Sequence, residues 1–275
     1  MSKTRKKTDA ERKIADEKRK DRILAVVLPA VSIAVFLFIW QMVVVTGLMS
    51  DRVIAAPTTV FSSFIFKLTN TAPDGATLIT NIAVSLRTAL TGLSIAILVG
   101  APLGLFMGWY KPVDRFVRPL FEIIRPIPPI AWIPLTIIWV GIGIQAQAMI
   151  IFFSAFVPCV INSYTGIKST NPTLINVAKT FGATNFQMFR KVGIPSAMPM
   201  VFAGILIALG NAWATLVAAE LLAASAGLGY MISMGRQFSR PDIIILGMIT
   251  IGVLGFLFTT AFAKLERIVI RWRSE

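Results

Sequence analysis

Few side chains in this sequence can do bond chemistry. Histidine is absent and cysteine occurs once, at Cys159, among 275 residues. That excludes Ser/His/Asp and Cys/His catalysis, zinc held by histidine, an intrachain disulfide and any cysteine cluster for a metal. No Gly-Lys dipeptide occurs, so no P-loop is present to cradle ATP phosphates. What remains is a set of polar, aromatic and proline residues embedded in apolar sequence. Asn211 and Thr215 are four apart, on one helix face, with Trp213 between them. Pro126, Pro128, Pro129 and Pro134 remove backbone donors around Trp132 and kink any helix that contains them. Glu220 stands nine residues before Gly229, in a stretch that also holds Gly227.

These residues need elements to position them, and composition names the solvent of those elements. Apolar residues make up 56% of the chain and charged residues 15%, whereas a soluble domain carries about 25% charged. A bilayer core takes about 20 apolar helical residues. The uncharged stretches 23–50, 88–110, 126–167, 192–219 and 243–263 then supply six spans, because 126–167 is long enough for two. Their expected limits are about 23–47, 80–108, 121–141, 146–166, 196–221 and 243–263. The turn between the third and fourth spans falls at residues 141–147, where glycine and glutamine weaken the helix. Ten-residue segments of alternating polarity do not occur, so a β-barrel is not expected. The fold class is all-α, a polytopic membrane protein. Residues 1–22 form a basic tail ahead of a membrane domain at 23–275.

The net charge of +14 is a marker of orientation. Ten of the 27 Lys and Arg residues lie in the first 22 positions. With six spans, 22 of the 27 fall on the side of the two termini, which places both in the cytoplasm. A nucleic-acid footprint would instead spread basic residues over a folded face with aromatics between them. Ala56 to Phe66 reads as a proline-started, Thr-capped amphipathic helix along the outer interface. Residues 223–242 could dip back into the protein, with Glu220 in structural contact with that segment.

The loop at 167–195, between spans four and five, is long for a plain connection. Asn171-Pro172 starts a helix, Gly182 stops or sharply turns it, and a second helix at 185–192 leads through Pro195 into the fifth span. Such a hairpin fits a docking element. It fits a hairpin lying on lipid headgroups equally well.

The wording of the loop adds to this. Asn176-Val177-Ala178-Lys179-Thr180-Phe181-Gly182-Ala183, followed through Arg190 by Val192-Gly193-Ile194-Pro195, resembles the EAA loop of ABC importer permeases. Two further blocks, 125–143 with its prolines and tryptophans and 210–220 followed by Gly227-Leu228-Gly229, resemble the branch of that family that carries taurine, alkanesulfonates and nitrate. The resemblance covers roughly residues 55–275. Asn176 stands where the pattern has Glu and Val177 where it has Ala, so a charge contact through that Glu is not implied for this chain. Thr259 stands where relatives often have Asp, a change without a physical account.

The resemblance implies a permease dimer working with two ABC ATPase subunits, which would bind ATP and Mg, and with a periplasmic or lipid-anchored substrate-binding protein in a bacterial cytoplasmic membrane. The cargo it suggests is a small anion. Taurine or another alkanesulfonate comes first, and nitrate, bicarbonate or a vitamin or aromatic precursor is the alternative. Residues 176–183, Arg190 and Pro195 would couple to the ATPase. Pro128, Pro129, Trp132, Asn211, Trp213 and Thr215 are the candidates for the translocation path. For the proline block the alternative is a lipid-facing kinked helix, and for Asn211 and Thr215 it is hydrogen bonding between helices. Arg87 and Arg125 could attract an anion, but their places suit snorkelling at the outer and inner interfaces. A stand-alone secondary transporter or channel is the rival class, and would show inverted repeats that the motifs lack. A membrane-embedded enzyme would need catalytic groups that are missing.

Overall fold

The computed structural model describes residues 9–51 and 53–269, and among these the only regular element is helix. The chain forms two compact units, Met1–Ser62 and Ser63–Glu275. The first holds α1 (Asp9–Val45) and the start of α2 (Pro57–Thr69). Helix α1 runs straight through the expected boundary at 22/23. Its apolar stretch, Val27–Val45, is long enough to cross a bilayer and is almost wholly exposed, as a lipid-facing helix must be. Helix α2 starts at Pro57, as the sequence suggested. The residue ahead of it is Ala56, so the expected threonine cap is not formed. Instead the Thr58 N–H and hydroxyl both donate to Gln41 Oε1, at 3.4 Å.

The second unit is built on α3 (Leu78–Trp109), α6 (Ile144–Lys168) and α9 (Ile194–Ala223). Their shared core consists of Ala89, Leu93 and Ala96 from α3, Ile151, Ala155 and Cys159 from α6, and Ala208, Leu209, Ala212 and Leu216 from α9. Small residues dominate because the helices approach closely. Positions 92, 96, 100, 104 and 108 of α3 are Gly, Ala, Gly, Gly and Gly, a stripe with the four-residue period of one helix face. A Cβ on Gly92 would lie 2.6 Å from the Ala148 carbonyl oxygen of α6, and one on Gly104 would meet Ser163 Cβ at 2.9 Å and press on the Val160 carbonyl. Between helices in lipid, van der Waals contact of this kind replaces the missing hydrophobic drive.

The short α10 (Leu228–Gln237) and then the long α11 (Pro241–Val269) complete the unit after α9, with α10 packed against both α9 and α11. Between α3 and α6 the chain forms α4 (Lys111–Ile124), a 3₁₀ turn (Pro129–Trp132) and α5 (Ile133–Val140). The third span was expected as one kinked helix. The two segments are bent by 86°, because prolines at 126, 128 and 129 leave no continuous backbone ladder. Among the described residues five helices are long and apolar enough to cross a membrane, and up to six spans result when this bent pair is counted as one. The turn before α6 ends earlier than expected. Gly141 and Gly143 suffice for it, and Gln145 and Gln147 are already helical.

The α3–α6 contact generates a direct prediction. Gly104→Leu forces a side chain into backbone and should destabilise the purified protein by about 3 kcal/mol or more, near or beyond the upper end for overpacked cores. Gly252→Ala, where nothing lies within 4 Å of the added methyl, should leave stability unchanged or slightly raised. Thermal melting of the two variants in detergent, read by loss of the monodisperse peak, checks both.

Candidate functional site

The break between α4 and α5 opens a cavity of about 340 Å³ lined by Arg125, Ile127, Pro129, Phe153, Ser154, Val157, Pro158, Asn211, Ala214 and Thr215. It lies near the middle of α6 and α9, to which Ser154 and Asn211 belong. Arg125 reaches that height because α4 climbs along α6, with Phe121 packed on Phe156 at 6.2 Å. Ser154 is buried. Its hydroxyl donates to the Asn211 carbonyl at 3.2 Å and lies 2.7 Å from Thr215 Oγ1. The Asn211 side chain is exposed to the cavity. Irregular backbone is tolerated at membrane depth where it lines such a space.

At one end of the unit the loop forms the expected hairpin. Asn171 caps α7 (Pro172–Thr180) by accepting from the Thr173 N–H at 2.9 Å. Gly182, at φ +76°, turns the chain so that the Ala183 N–H reaches the Ala178 carbonyl at 3.0 Å. Thr184 and Gln187 form a reciprocal capping box at the start of α8 (Asn185–Met188). A π-helical turn (Phe189–Gly193) then carries the chain into α9 without a break. Asn185 accepts from Trp109 Nε1 at 3.0 Å, and buried Phe189 packs among Phe106, Trp109 and Tyr110 at 5.2–5.7 Å. One side of the hairpin is thus fixed to the end of α3. The other side presents Leu174, Val177, Phe181 (87% exposed) and Phe186 to the surroundings. Asn176, Lys179, Thr180 and Arg190 are exposed as well, Ala178 and Ala183 half-buried, and Pro195 is exposed in the first turn of α9.

At the opposite end a buried polar network joins α2, α3, α9 and α10. Lys67 Nζ donates to Asp74 Oδ1 and to the Ala76 carbonyl, each at 2.5 Å. Asn81 Nδ2 donates to Asp74 Oδ2 at 2.6 Å, and Asn81 Oδ1 accepts from the Gly227 N–H at 2.9 Å. Ser85 donates to Glu220 Oε1 at 2.6 Å and accepts from the Leu228 N–H at 2.9 Å. Glu220 Oε2 accepts from the Gly229 N–H at 2.7 Å. Gly227 has φ +123°, and a Cβ there would run into the Glu220 carboxylate, so both backbone and space require glycine. A second cluster follows, with Ser63 donating to Asp242 Oδ2 at 2.5 Å and Arg240 donating to both oxygens of the same carboxylate.

The structure divides the candidate path residues. Pro129, Asn211 and Thr215 share the cavity. Trp132 stands behind it, stacked on Phe153 at 4.4 Å, and Pro128 lies outside the lining. Trp213 does not reach it. Its Nε1 donates to the Ile251 carbonyl of α11 at 3.1 Å and its ring packs on Phe258 and Gly255. A helix places residues 211 and 215 on one face and turns residue 213 away. Arg125, read as a snorkelling residue, lines the cavity, whereas Arg87 is exposed on α3. The signal for Arg125 was its place immediately before the proline block. Ser154 had only the weak signal of a hydroxyl in an apolar run. Lys67, Asp74, Asn81 and Ser85 were passed over because a loop charge and a helix polar residue carry no mark of burial. Glu220 does contact the 223–242 segment, as expected, through Gly229.

Comparison with known proteins follows the same lines. Residues 97–274 match the family described as binding-protein-dependent transport system inner membrane component. The chain is 34% identical over 247 residues to the taurine transport system permease protein TauC of Escherichia coli K12, covering 89% of each chain. It is 33% identical over 270 residues to the putative aliphatic sulfonates transport permease protein SsuC of Bacillus subtilis 168, covering 98% of this chain and 95% of that one. It is 30% identical over 249 residues to the nitrate import permease protein NrtB of Synechocystis PCC 6803, covering 89% and 90%. Among solved structures, a chain of the MetNI methionine ABC transporter in an inward-facing conformation matches with a TM-score of 0.60 at 22% identity, over 70% of this chain and 95% of that chain. That likeness is one of fold.

The network at the far end predicts a specific pattern of stability. Lys67→Met leaves a buried carboxylate at Asp74 with only Asn81 as partner, and should cost about 3–5 kcal/mol. The double change Lys67→Met/Asp74→Leu removes both charges and should recover a measurable part of that loss. Melting temperatures of the two variants in the same detergent decide it, and equal losses would show that the charges are not coupled.

Proposed function

The chain belongs to the family of binding-protein-dependent transport system inner membrane components, and we propose that it forms the membrane path of an ATP-driven importer for a small anion, taurine or another alkanesulfonate first. Members of this family are multi-pass inner-membrane permeases that work with ATPase subunits and a substrate-binding protein, and are not themselves the ATPases. The finer assignment is a dimer of this chain with two ATPases, which hold the ATP and Mg, and a periplasmic or lipid-anchored binding protein. Both termini then face the cytoplasm, and the 167–195 loop lies on the same side.

The observation that carries the reading is the hairpin. It is rigidly held on one side by Phe189 and Asn185 and offers an apolar ridge of Leu174, Val177, Phe181 and Phe186 on the other. A groove on an ATPase that accepts this ridge would be moved by ATP binding, and the hairpin would carry the motion into α9. ATP acts as the ligand that binds one arrangement better than the other, and the spans follow between inward-open and outward-open states. The cargo rests on the named relatives, which are taurine, aliphatic sulfonate and nitrate permeases. Nitrate is the second reading, supported by the last of these.

Gly182→Asp tests the coupling. The φ of +76° is unfavourable for any side chain, and a carboxylate would stand at the tip beside the apolar ridge. The variant should insert into the membrane at normal yield, with ATPase co-purification and substrate uptake both falling about tenfold or more. Normal co-purification together with normal uptake would sink the idea. The cargo is tested by calorimetry of the partner binding protein against taurine, ethanesulfonate, nitrate and bicarbonate. A sulfonate should bind most tightly, and preference for nitrate would favour the second reading.

A further inference from the structure

The cavity between α4, α6 and α9 contains a permanent cation without a tight partner. Among the described residues Arg125 pairs only with Glu122, at 3.6 Å, and both side chains are about half exposed, an arrangement that contributes little. No carboxylate lines the cavity itself. Three of the four residues after Arg125 are proline, at 126, 128 and 129, so the broken backbone offers an anion almost no N–H donors. Any donors must be side chains. The Asn211 carboxamide faces the cavity and has no hydrogen-bond partner among the described residues. The Ser154 and Thr215 hydroxyls are 2.7 Å apart, and either can be the donor. Ser154 has one proton, and when it turns from the Asn211 carbonyl to Thr215 the Thr215 proton is free to point into the cavity. Phe153 and Val157 supply apolar lining. The volume of about 340 Å³ lies at the lower end of the range for small-molecule pockets.

We propose that Arg125 is the residue that holds the cargo in transit, and that it takes a singly charged oxyanion group, a sulfonate or nitrate. Its guanidinium fork engages two oxygens of a sulfonate or nitrate, a geometry that arginine matches and lysine does not. Asn211 and Thr215 donate to a further oxygen, and the apolar lining receives the carbon body of an alkanesulfonate. The site selects for charge and for oxygen donor count, after the binding protein has selected for identity. This inference rests on the reading of the chain as an anion importer.

The test uses the assembled transporter in proteoliposomes with its ATPase and binding protein, and radiolabelled taurine, ethanesulfonate and nitrate as probes. Arg125→Gln should lower the maximal uptake rate of the transported probe about tenfold or more, since a hydrogen bond to a charged group is lost in a low-dielectric site. The half-saturating probe concentration should stay near the wild-type value, because the binding protein sets it. Arg125→Lys should recover part of the rate, having the charge without the fork. Arg87→Gln, an equal loss of charge away from the cavity, should transport normally. ATPase co-purification confirms that each variant is assembled.

Uptake by Arg125→Gln at the wild-type rate would overturn the inference while leaving anion import in place. An equal loss in Arg87→Gln would also overturn it, by showing a general effect of charge. A wild-type transporter that moves none of the three anions would overturn both the inference and the reading beneath it. Should Arg125→Gln fail to assemble, Asn211→Ala carries the test, with a fall of about threefold or more expected and unchanged uptake as the overturning result.

Discussion

Everything in the 63–275 unit is measured from the face on which α3 and α6 touch. Lipid tails are as apolar as the side chains between two helices, so burial alone does not hold such a pair together. The stripe from Gly92 to Gly108 lets the backbones come within contact distance over some five turns. That contact fixes α6, and α6 in turn presents Ser154, Cys159 and Ile151 to α9. Looser packing here would shift the height of Ser154 relative to Asn211 and dissolve the 2.7 Å hydroxyl contact at the cavity.

The two ends of this rigid centre are finished by different chemistry. At one end aromatic rings and a single Trp109–Asn185 hydrogen bond hold the hairpin, leaving its outer ridge bare. At the other, charges and amides withdrawn from water satisfy one another completely enough to bury Lys67, Asp74 and Glu220. Buried polar groups are costly unless every member is paired. The network therefore ties α2, α3, α9 and α10 in one arrangement, in which the Gly227 N–H reaches the Asn81 amide oxygen and the Gly229 N–H the Glu220 carboxylate.

Much of the fold was legible in the sequence because lipid imposes a simple rule, about 20 apolar residues per crossing. The limits of α3, α6, α9 and α11 fall close to the expected spans, and Gly182 and Asn171 mark the hairpin by backbone chemistry that is local. The broken span was legible only in part. Prolines at 126, 128 and 129 announced a distortion, yet an 86° bend depends on what α4 packs against, and that is tertiary. The cavity was legible in the same measure. Asn211 and Thr215 follow from a four-residue period, whereas Ser154 and Arg125 join them through contacts between helices distant in sequence. Trp213 shows the converse, since it stands close to Asn211 in sequence yet contacts α11 and not the cavity. Lys67 belongs with these, since it lies in the last turn of α2 and its burial is invisible without Asp74 beside it.

The uninterrupted passage from the hairpin into α9 has a mechanical corollary. Residues 185–222 behave as one apolar rod with no sharp break, and at 1.5 Å per residue Asn211 stands about 39 Å along it from Asn185. A rod of that length is a lever arm. Pivoted at the hairpin, a tilt of only about 5° sweeps Asn211 sideways by about 3 Å, roughly the length of a hydrogen bond. Asn211 and Thr215 ride on this lever, whereas Arg125 stands on α4, at the proline break. Under the proposed coupling, such a stroke would change the spacing between Arg125 and the Asn211 and Thr215 donors, and carry an angular displacement at the hairpin into the cavity.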